Sequence, residues 1–439
     1  MANYTRERKS LLSSQARIQA PWVKVTMGDF TFGVFDRATR QKQSNNGAFY
    51  LAYNIQYPSY VQRLNVTKIN GQVNQYTLDI KYPIRPQDDP NFFEKVFSSV
   101  SDSRKIVFSY GDSMQPAYCY KNEEALITKI TQTFDLENSA ISYKISAVST
   151  AIKGRVGNFT FINSGPIIPS EEIKRVFLNP TYGLQNIFTG MNKNNLNKLI
   201  DSTDKMVEVQ TKTNISPIDY ISYLVSCMVP AGSNLNSTSN DIYILTLHDE
   251  TVFDDQVKDG VTNNGPYFKV TRTNYNMEQT DAYEVDVGYN TSTIVTNFSI
   301  ANDENYSIYF DYANVQFPDM YTRRLNNKGQ WEDVYAPTFI SGNENFKPTT
   351  KDIVWYTKLT KYPIKATLTV QGLLRPATLM QYLRLNVIFP GGHKHIASGL
   401  YIVTKQVDDI GDQGYKTTLS LTKISGDSLL QNSNAFIGK

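Results

Sequence analysis

On a scale of about 100–200 residues per domain, a chain of 439 residues holds two to four domains, each able to bury its own core without a disulfide scaffold. Hydrophobic residues make up 40% and charged residues 19%, and 29 Tyr with 22 Phe bring the aromatic share to 12%, a bias towards strands. Lys and Arg number 44 against 41 Asp and Glu, a net charge of +3, from which no phosphate-seeking surface can be inferred, and strong nucleic-acid binding is not indicated.

Residues 1–17 are polar and basic with one short apolar pair, Leu11 and Leu12, and read as an N-terminal arm ordered only against a partner. They lack the apolar core of a secretory signal. No segment approaches the ~20 apolar residues of a membrane span, so a soluble chain without a membrane anchor, made in a cytoplasm, is expected.

Residues 18–156 form a first β unit. WVKVTMGDFTFGVF, QRLNVTKIN and NQYTLDIKYPI alternate in polarity between Gly, Asn and Pro punctuation, the two-residue period of strands. Asn70-Gly71 marks a hairpin. One amphipathic helix interrupts them: Asp88 or Asp89 can cap it, Pro90 takes the first helical position, and Phe92, Phe93, Val96, Phe97 and Val100 share a face. KIVFSYGD, ALITKITQTFDL and SAISYKISAVST then resume the strands. A small barrel with a packed helix is expected, because closure removes sticky edges.

Residues 157–280 read as a mixed α/β middle domain. EEIKRVFLN, YGLQNIFTGMNKNNLNKLIDST and SPIDYISYLVSCMVP have helical spacing, with Ser170 and Ser216 as capping residues. Strands DIYILTLHD and PYFKVTRTNY follow. Cys119 and Cys227 fall in different domains and are expected to be reduced thiols.

Residues 281–425 form a second β unit with a long insertion over 313–360, and 426–439 form a C-terminal tail. Its strands are YEVDVGY, TIVTNFSI, YSIYFDY, YPIKATLTVQG, YLRLNVIF, GLYIVTKQVDDI and KTTLSLTKI. Both units end in a strand, an Asp-containing turn and a closing strand, ITKITQTFDLENSAISYKISAV and IVTKQVDDIGDQGYKTTLSLTKI, which suggests duplication. The fold class expected is mainly β, with two tube-type β-barrels around an α/β middle.

Chemistry has few carriers. Only His248, His393 and His395 could serve as histidine bases. His393 and His395, in PGGHKHIASG, alternate so that both imidazoles could share a face and hold a metal with a third ligand, but a polar hairpin loop is the expected reading. His248 adjoins Asp249 and Glu250 without a nucleophile elbow, a metalloprotease pair or a phosphate loop. Asp408, Asp409 and Asp412 resemble a calcium-loop fragment but lack its spacing and its closing Glu, so hairpin chemistry is expected. Trp355 and Tyr356 could stack on sugars or bases, although packing is the more ordinary use. No catalytic, cofactor-binding or metal residue is assigned, and no enzyme is expected.

The stretch GLLRPATLMQYLRLNVIFPGGHKHIASGLYIVTKQVDDIGDQGYKTTLSLTKI resembles the final tube-type barrel of the phage tail hub proteins, the family of the trimeric hubs of contractile phages and the base of type VI secretion spikes. That family follows a Ser-Gly-x-Tyr-x-Val strand with an Asp/Gly hairpin and a Tyr-x-Thr strand. Here these are Ser398, Gly399, Tyr401 and Val403, then Asp408 to Gly414, then Tyr415 and Thr417. YPSYVQRLNVTKINGQVNQYTLDIKYPIRPQDDPNFFEKVFSSV with RKIVFSYGD resembles the family's N-terminal barrel; the middle domain matches only in position and character.

The resemblance implies a structural homotrimer, a pseudo-sixfold ring of barrels joining the hexameric tail tube above to the trimeric spike or tip and baseplate proteins below. It implies a virion location after assembly in the host bacterial cytoplasm, and DNA passing through the lumen without specific binding. Two other readings are open at this stage: a carbohydrate-binding or adhesive β protein, from the Tyr, Asn and Thr content and the insertion around Trp331, and a tail-associated peptidoglycan hydrolase, whose paired carboxylates could come from distant positions.

Overall fold

The structure is a computed structural model that describes residues 21–27, 30–34, 60–83, 105–112, 120–137, 139–163, 165–188, 193–203, 206, 209–228, 243–248, 267–272, 283–289, 291, 295–302, 322–325, 331–334, 364–372, 382–391, 394–395, 397–411 and 414–426. The arm, the helix expected near Pro90, Cys119, the strand YSIYFDY, Trp355, Tyr356 and the C-terminal tail lie outside the described residues. The architecture is mainly β.

The first unit contains β1 (Pro21–Met27), β2 (Phe30–Val34), β3 (Tyr60–Ile69), β4 (Gln75–Pro83), β5 (Lys105–Asp112), β6 (Tyr120–Asp135) and β7 (Ala140–Ser149). They lie in the order β3-β4-β7-β6-β5-β1-β2, all antiparallel. Alternation decides which side faces inwards: along β7, Ile141, Tyr143, Ile145 and Ala147 are buried while Lys144 is exposed. β2 passes alongside β3 at the far end of the run, so the sheet curls around a core that includes Val25, Leu64, Leu78, Phe108 and Ile145.

The middle section holds β8 (Phe159–Phe161), α1 (Pro169–Leu178), α2 (Leu184–Ile187), α3 (Lys193–Leu199), β9 (Lys212–Ile215), α4 (Pro217–Ser226), β10 (Tyr243–His248) and β11 (Tyr267–Arg272). Proline begins both α1 and α4, where its missing N–H costs nothing and its fixed φ suits the helix. Ser216 caps α4, accepting from Asp219 N at 3.2 Å. Ser170 is not a cap. It lies inside α1, whose N-cap is Ile168, and its hydroxyl accepts from Thr203 N at 3.0 Å. Ile173, Phe177, Ile221 and Leu224 share one core, and Phe161 stacks on Tyr220 with ring centroids 3.9 Å apart. Buried Cys227 ends α4.

The second β unit contains β12 (Tyr283–Gly288), β13 (Val295–Asn302), β14 (Thr322–Leu325), β15 (Trp331–Val334), β16 (Ile364–Gln371), β17 (Tyr382–Ile388), β18 (Gly399–Gly411) and β19 (Gly414–Gly426). Among the described residues β14 and β15 pair only with each other, a hairpin within the insertion expected over 313–360. The others lie in the order β13-β16-β19-β18-β17-β12 around Val285, Leu368, Leu385, Val403 and Leu419.

Six strands recur in the same spatial order in both halves. In chain order β1, β3, β4, β5, β6 and β7 answer to β12, β13, β16, β17, β18 and β19, while β2, which pairs with β1, has no counterpart among the described residues. A second difference is the last shared ladder, antiparallel for β1–β5 and parallel for β12–β17. Two irregularities recur as well: the register slips at Thr128 between β6 and β7 and at Thr404 between β18 and β19, and each threonine hydroxyl donates at 3.1 Å to a serine carbonyl, Ser146 or Ser420. A second slip recurs between Val61 and Arg63 and between Val295 and Asn297. Bulges re-aim a strand at a fixed place, so recurrence at both positions identifies an internal repeat.

The sequence predicts two tube-type barrels. The described strands form two halves, each with its own core, of one 13-stranded sheet. They are continuous because β18 outruns its neighbour: β17 pairs with Gly399 to Ile402, and β3 takes over from Lys405 to Gly411.

Candidate functional site at the junction of the two halves

The β3–β18 ladder is the joint between the halves, and the Asn70-Gly71 turn lies at its end. The turn is wider than a two-residue hairpin, since the ladder of β3 and β4 reaches only to Thr67↔Gln75. The reason is tertiary: Asn70 N donates to Thr404 O at 3.0 Å and Gly71 N to Leu245 O at 2.9 Å, while Arg155 donates to Gly71 O at 3.0 Å and faces Asp219 at 3.4 Å. Gly71 holds φ +69°, a left-handed value suited to glycine. The turn thus fastens the first half to the second and to the middle section.

Beneath the ladder is a buried polar network. Lys68 on β3 and Glu123 on β6 are 1% and 0% exposed and form an ion pair at 2.8 Å. Tyr76 and Tyr110 donate to the other Glu123 oxygen at 2.8 and 3.2 Å, and the Lys68 ammonium lies 3.6 Å from the Tyr120 ring centroid. Burial first, then the Glu123 charge, holds the Tyr110 hydroxyl well above its ordinary range, so it remains a donor. From β18, Gln406 donates to Tyr120 at 2.8 Å and to Asp408 at 2.7 Å. From β19, Tyr415 and Thr417 donate to the other Asp408 oxygen at 3.2 and 3.0 Å.

Asp408 is therefore not a turn residue. It lies inside β18 at 0% exposure, and Asp409 points the opposite way, where it accepts from both nitrogens of a two-pronged Arg63 contact at 2.7 and 2.9 Å. Neighbouring residues on a strand face opposite sides, so these two carboxylates cannot ligate one cation as a calcium loop would; Asp412 lies outside the described residues. Burial pushes the Asp408 carboxyl up to about 6, against the pull of Lys68 and of the Thr417 and Gln406 donors.

No substrate can reach a carboxylate so enclosed. What the network does is fix register: slipping β18 by one residue would turn Gln406 and Asp408 out and put Val407 and Asp409 in, taking Gln406 from Tyr120 and burying a second carboxylate without the donors that serve Asp408. The other motif residues are also structural. Ser398 Oγ donates to Val387 O at 3.1 Å and accepts from Val387 N at 3.0 Å, the Tyr401 hydroxyl donates to Ala397 O at 2.5 Å, Gly399 lies opposite Leu385, and Val403 is in the core.

His395 Nδ1 accepts from Ala397 N at 3.1 Å, and its ring meets Phe389 edge-on. His393, Asp249 and Glu250 lie outside the described residues, while His248 ends β10. Among the described residues no three His, Cys, Asp or Glu side chains cluster to hold a metal, and no helix is long and apolar enough to cross a membrane.

Lys68 and Glu123 carry a signal in the sequence that motif searching misses. Counting by twos from Leu64 and Val66 puts Lys68 on the inner face, and counting back from Ile127 and Ala125 does the same for Glu123. Two opposite charges at inward positions of different strands imply a buried pair.

No family model and no curated protein matches the chain. Among solved structures it is similar to a tail protein from Neisseria meningitidis, with 10% identity over 92% of this chain and 97% of that one and a TM-score of 0.47. It is similar to a 43 kDa prophage tail protein from Shewanella oneidensis, with 9% identity, the same coverages and a TM-score of 0.45. A component of the type VI secretion system of Escherichia coli is similar at 9% identity over 85% of this chain and 76% of that one, with a TM-score of 0.43.

Proposed function

We propose that this chain is a non-enzymatic structural subunit of a phage-type tail: a hub that forms a trimeric, pseudo-sixfold ring, joins a hexameric tail tube to a trimeric spike or tip, and lets DNA pass. The observation that carries the reading is the internal repeat. Two halves with six strands in the same order, two recurring bulges and a shared ladder supply two similar, non-identical ring positions per chain, so three chains present six. The Ser398 to Thr417 motif supports the same family.

The buried network suits such a part, since a joint under load must hold one register. The partners would be further copies of the chain, a tube protein on one side and spike or baseplate proteins on the other. Lumen-facing side chains that are polar or acidic, rather than clustered Lys and Arg, would let the genome move without capture.

The test is the mass of the purified chain by light scattering over a range of concentrations, with electron microscopy of the same sample. A threefold ring with an open centre is expected. A compact monomer at every concentration, binding glycans or clearing cell-wall substrate, would overturn the reading.

A further inference from the structure

In the repeat, β6 is the counterpart of β18 and β13 that of β3. Within one chain the β18–β3 contact is made. Its counterpart is open: β5 pairs with β6 only as far as Leu126, and among the described residues no strand covers the same side of β6 over 128–135 or the outer side of β13. The difference shows in exposure. Ile410 on β18 is 5% exposed, whereas its counterpart Phe134, on the core-facing side of β6, is 60% exposed.

We infer that β6 over 128–135 receives β13 of a second copy of this chain, in the register that β18 and β3 use within the chain. Matching bulges set that register. Thr404 answers to Thr128, so Asp408, Asp409 and Ile410 answer to Gln132, Thr133 and Phe134. Across β4 and β16, Leu64 lies opposite Leu78 and Phe298 opposite Leu368, so Leu64, Asn65 and Val66 answer to Phe298, Ser299 and Ile300. The in-chain pairs Asp408↔Val66, Asp409↔Asn65 and Ile410↔Leu64 then become Gln132↔Ile300, Thr133↔Ser299 and Phe134↔Phe298 between copies.

The chemistry of the two joints differs in a way that favours reversible assembly for the second. Gln406, Asp408 and Lys68 are replaced by Ile130, Gln132 and Asn302, so no charge is buried between copies. An aromatic pair closes the contact, and offset or edge-on ring packing adds to its burial. The contact is head-to-tail, so repeated copies close into a ring or run on as a filament. The inference rests on the hub reading for ring closure alone; the edge pairing stands on the repeat.

The experiment is cysteine crosslinking of the full chain under mild oxidation. Antiparallel partners have Cα atoms about 4.5–5.5 Å apart, within disulfide reach. Thr133→Cys with Ser299→Cys should give covalent oligomers, while Thr133→Cys with Ala301→Cys, two residues out of register, should not, and the unaltered chain with Cys119 and Cys227 sets the background. Phe134→Asp should raise the concentration for half-assembly at least tenfold with circular dichroism unchanged, and Leu136→Asp, beyond the ladder, should not; the crosslink decides if Phe134→Asp fails to fold. Rings that form without the crosslink, or that tolerate Phe134→Asp, would overturn this joint and leave the hub reading intact. Crosslinked filaments would keep the joint and overturn the hub. A chain that is monomeric throughout and never crosslinks would overturn both.

Discussion

Replacing Asp408 by asparagine tests the buried network through its dependence on pH. In the folded chain the carboxyl, moved from 3.8 to about 6 by burial, favours its neutral form more strongly than in the unfolded chain. Its stabilising contribution is therefore complete below about pH 4 and is lost as pH rises through about 6. At about 1.4 kcal/mol for each tenfold change in an equilibrium, the loss between about pH 3 and pH 7.5 is about 3 kcal/mol. The amide of the variant cannot titrate, and its oxygen can still accept from Tyr415 and Thr417 if the Gln406 amide turns over. Urea unfolding of both proteins at half-unit steps of pH, followed through the emission of buried Trp22, gives the difference curve, from which other carboxylates cancel. The Asp408→Asn variant should gain about 3 kcal/mol on the parent from acid to neutral pH. Parallel curves would show that the Asp408 carboxyl titrates alike in the folded and the unfolded chain and that the reading of its surroundings is mistaken.

Lys68→Met should cost about 3–5 kcal/mol in the same unfolding assay, because Glu123 is left charged in the core, and adding Glu123→Gln should recover much of that; an additive double variant would dissolve the pair. Gly288→Ala should destabilise the second half by at least 1–3 kcal/mol, roughly the cost of a strained backbone, since φ is +95° and the new Cβ would collide with Ile388 O; an unchanged melting temperature would refute this. Ser216→Ala should cost about 1 kcal/mol through loss of the α4 cap, read as faster amide exchange over Ile218 to Tyr220, and undiminished protection there would count against the cap.

Most strands were legible because alternation is strong where one face is buried: in KATLTV of β16, Ala366, Leu368 and Val370 point in and the threonines out. Less legible was any feature set by a distant partner. Asp408 sits shortly before a Gly-Asp turn and reads locally as hairpin chemistry; only the strands brought beside it show that β18 continues past that point. Ser170 looks like a cap because Ser often is one, yet Pro169 already begins the helix and Thr203 takes the hydroxyl. The Asn70-Gly71 signal located the turn correctly but not its width, which contacts with Thr404 and Leu245 determine. The repeat was visible in outline as ITK and VTK before each closing hairpin, but its fidelity lies in strand neighbours and bulges, which no local window contains.

The order of synthesis acquires meaning from the β3–β18 ladder. The core of the first half includes Ile410 and Tyr415, and its Tyr120 waits for Gln406, 286 positions later in the chain. While the ribosome is still making the middle section, the N-terminal half has an uncovered flank and two buried charges without their full set of neighbours. The first half of a nascent chain therefore lacks part of its own core until β18 and β19 have been made.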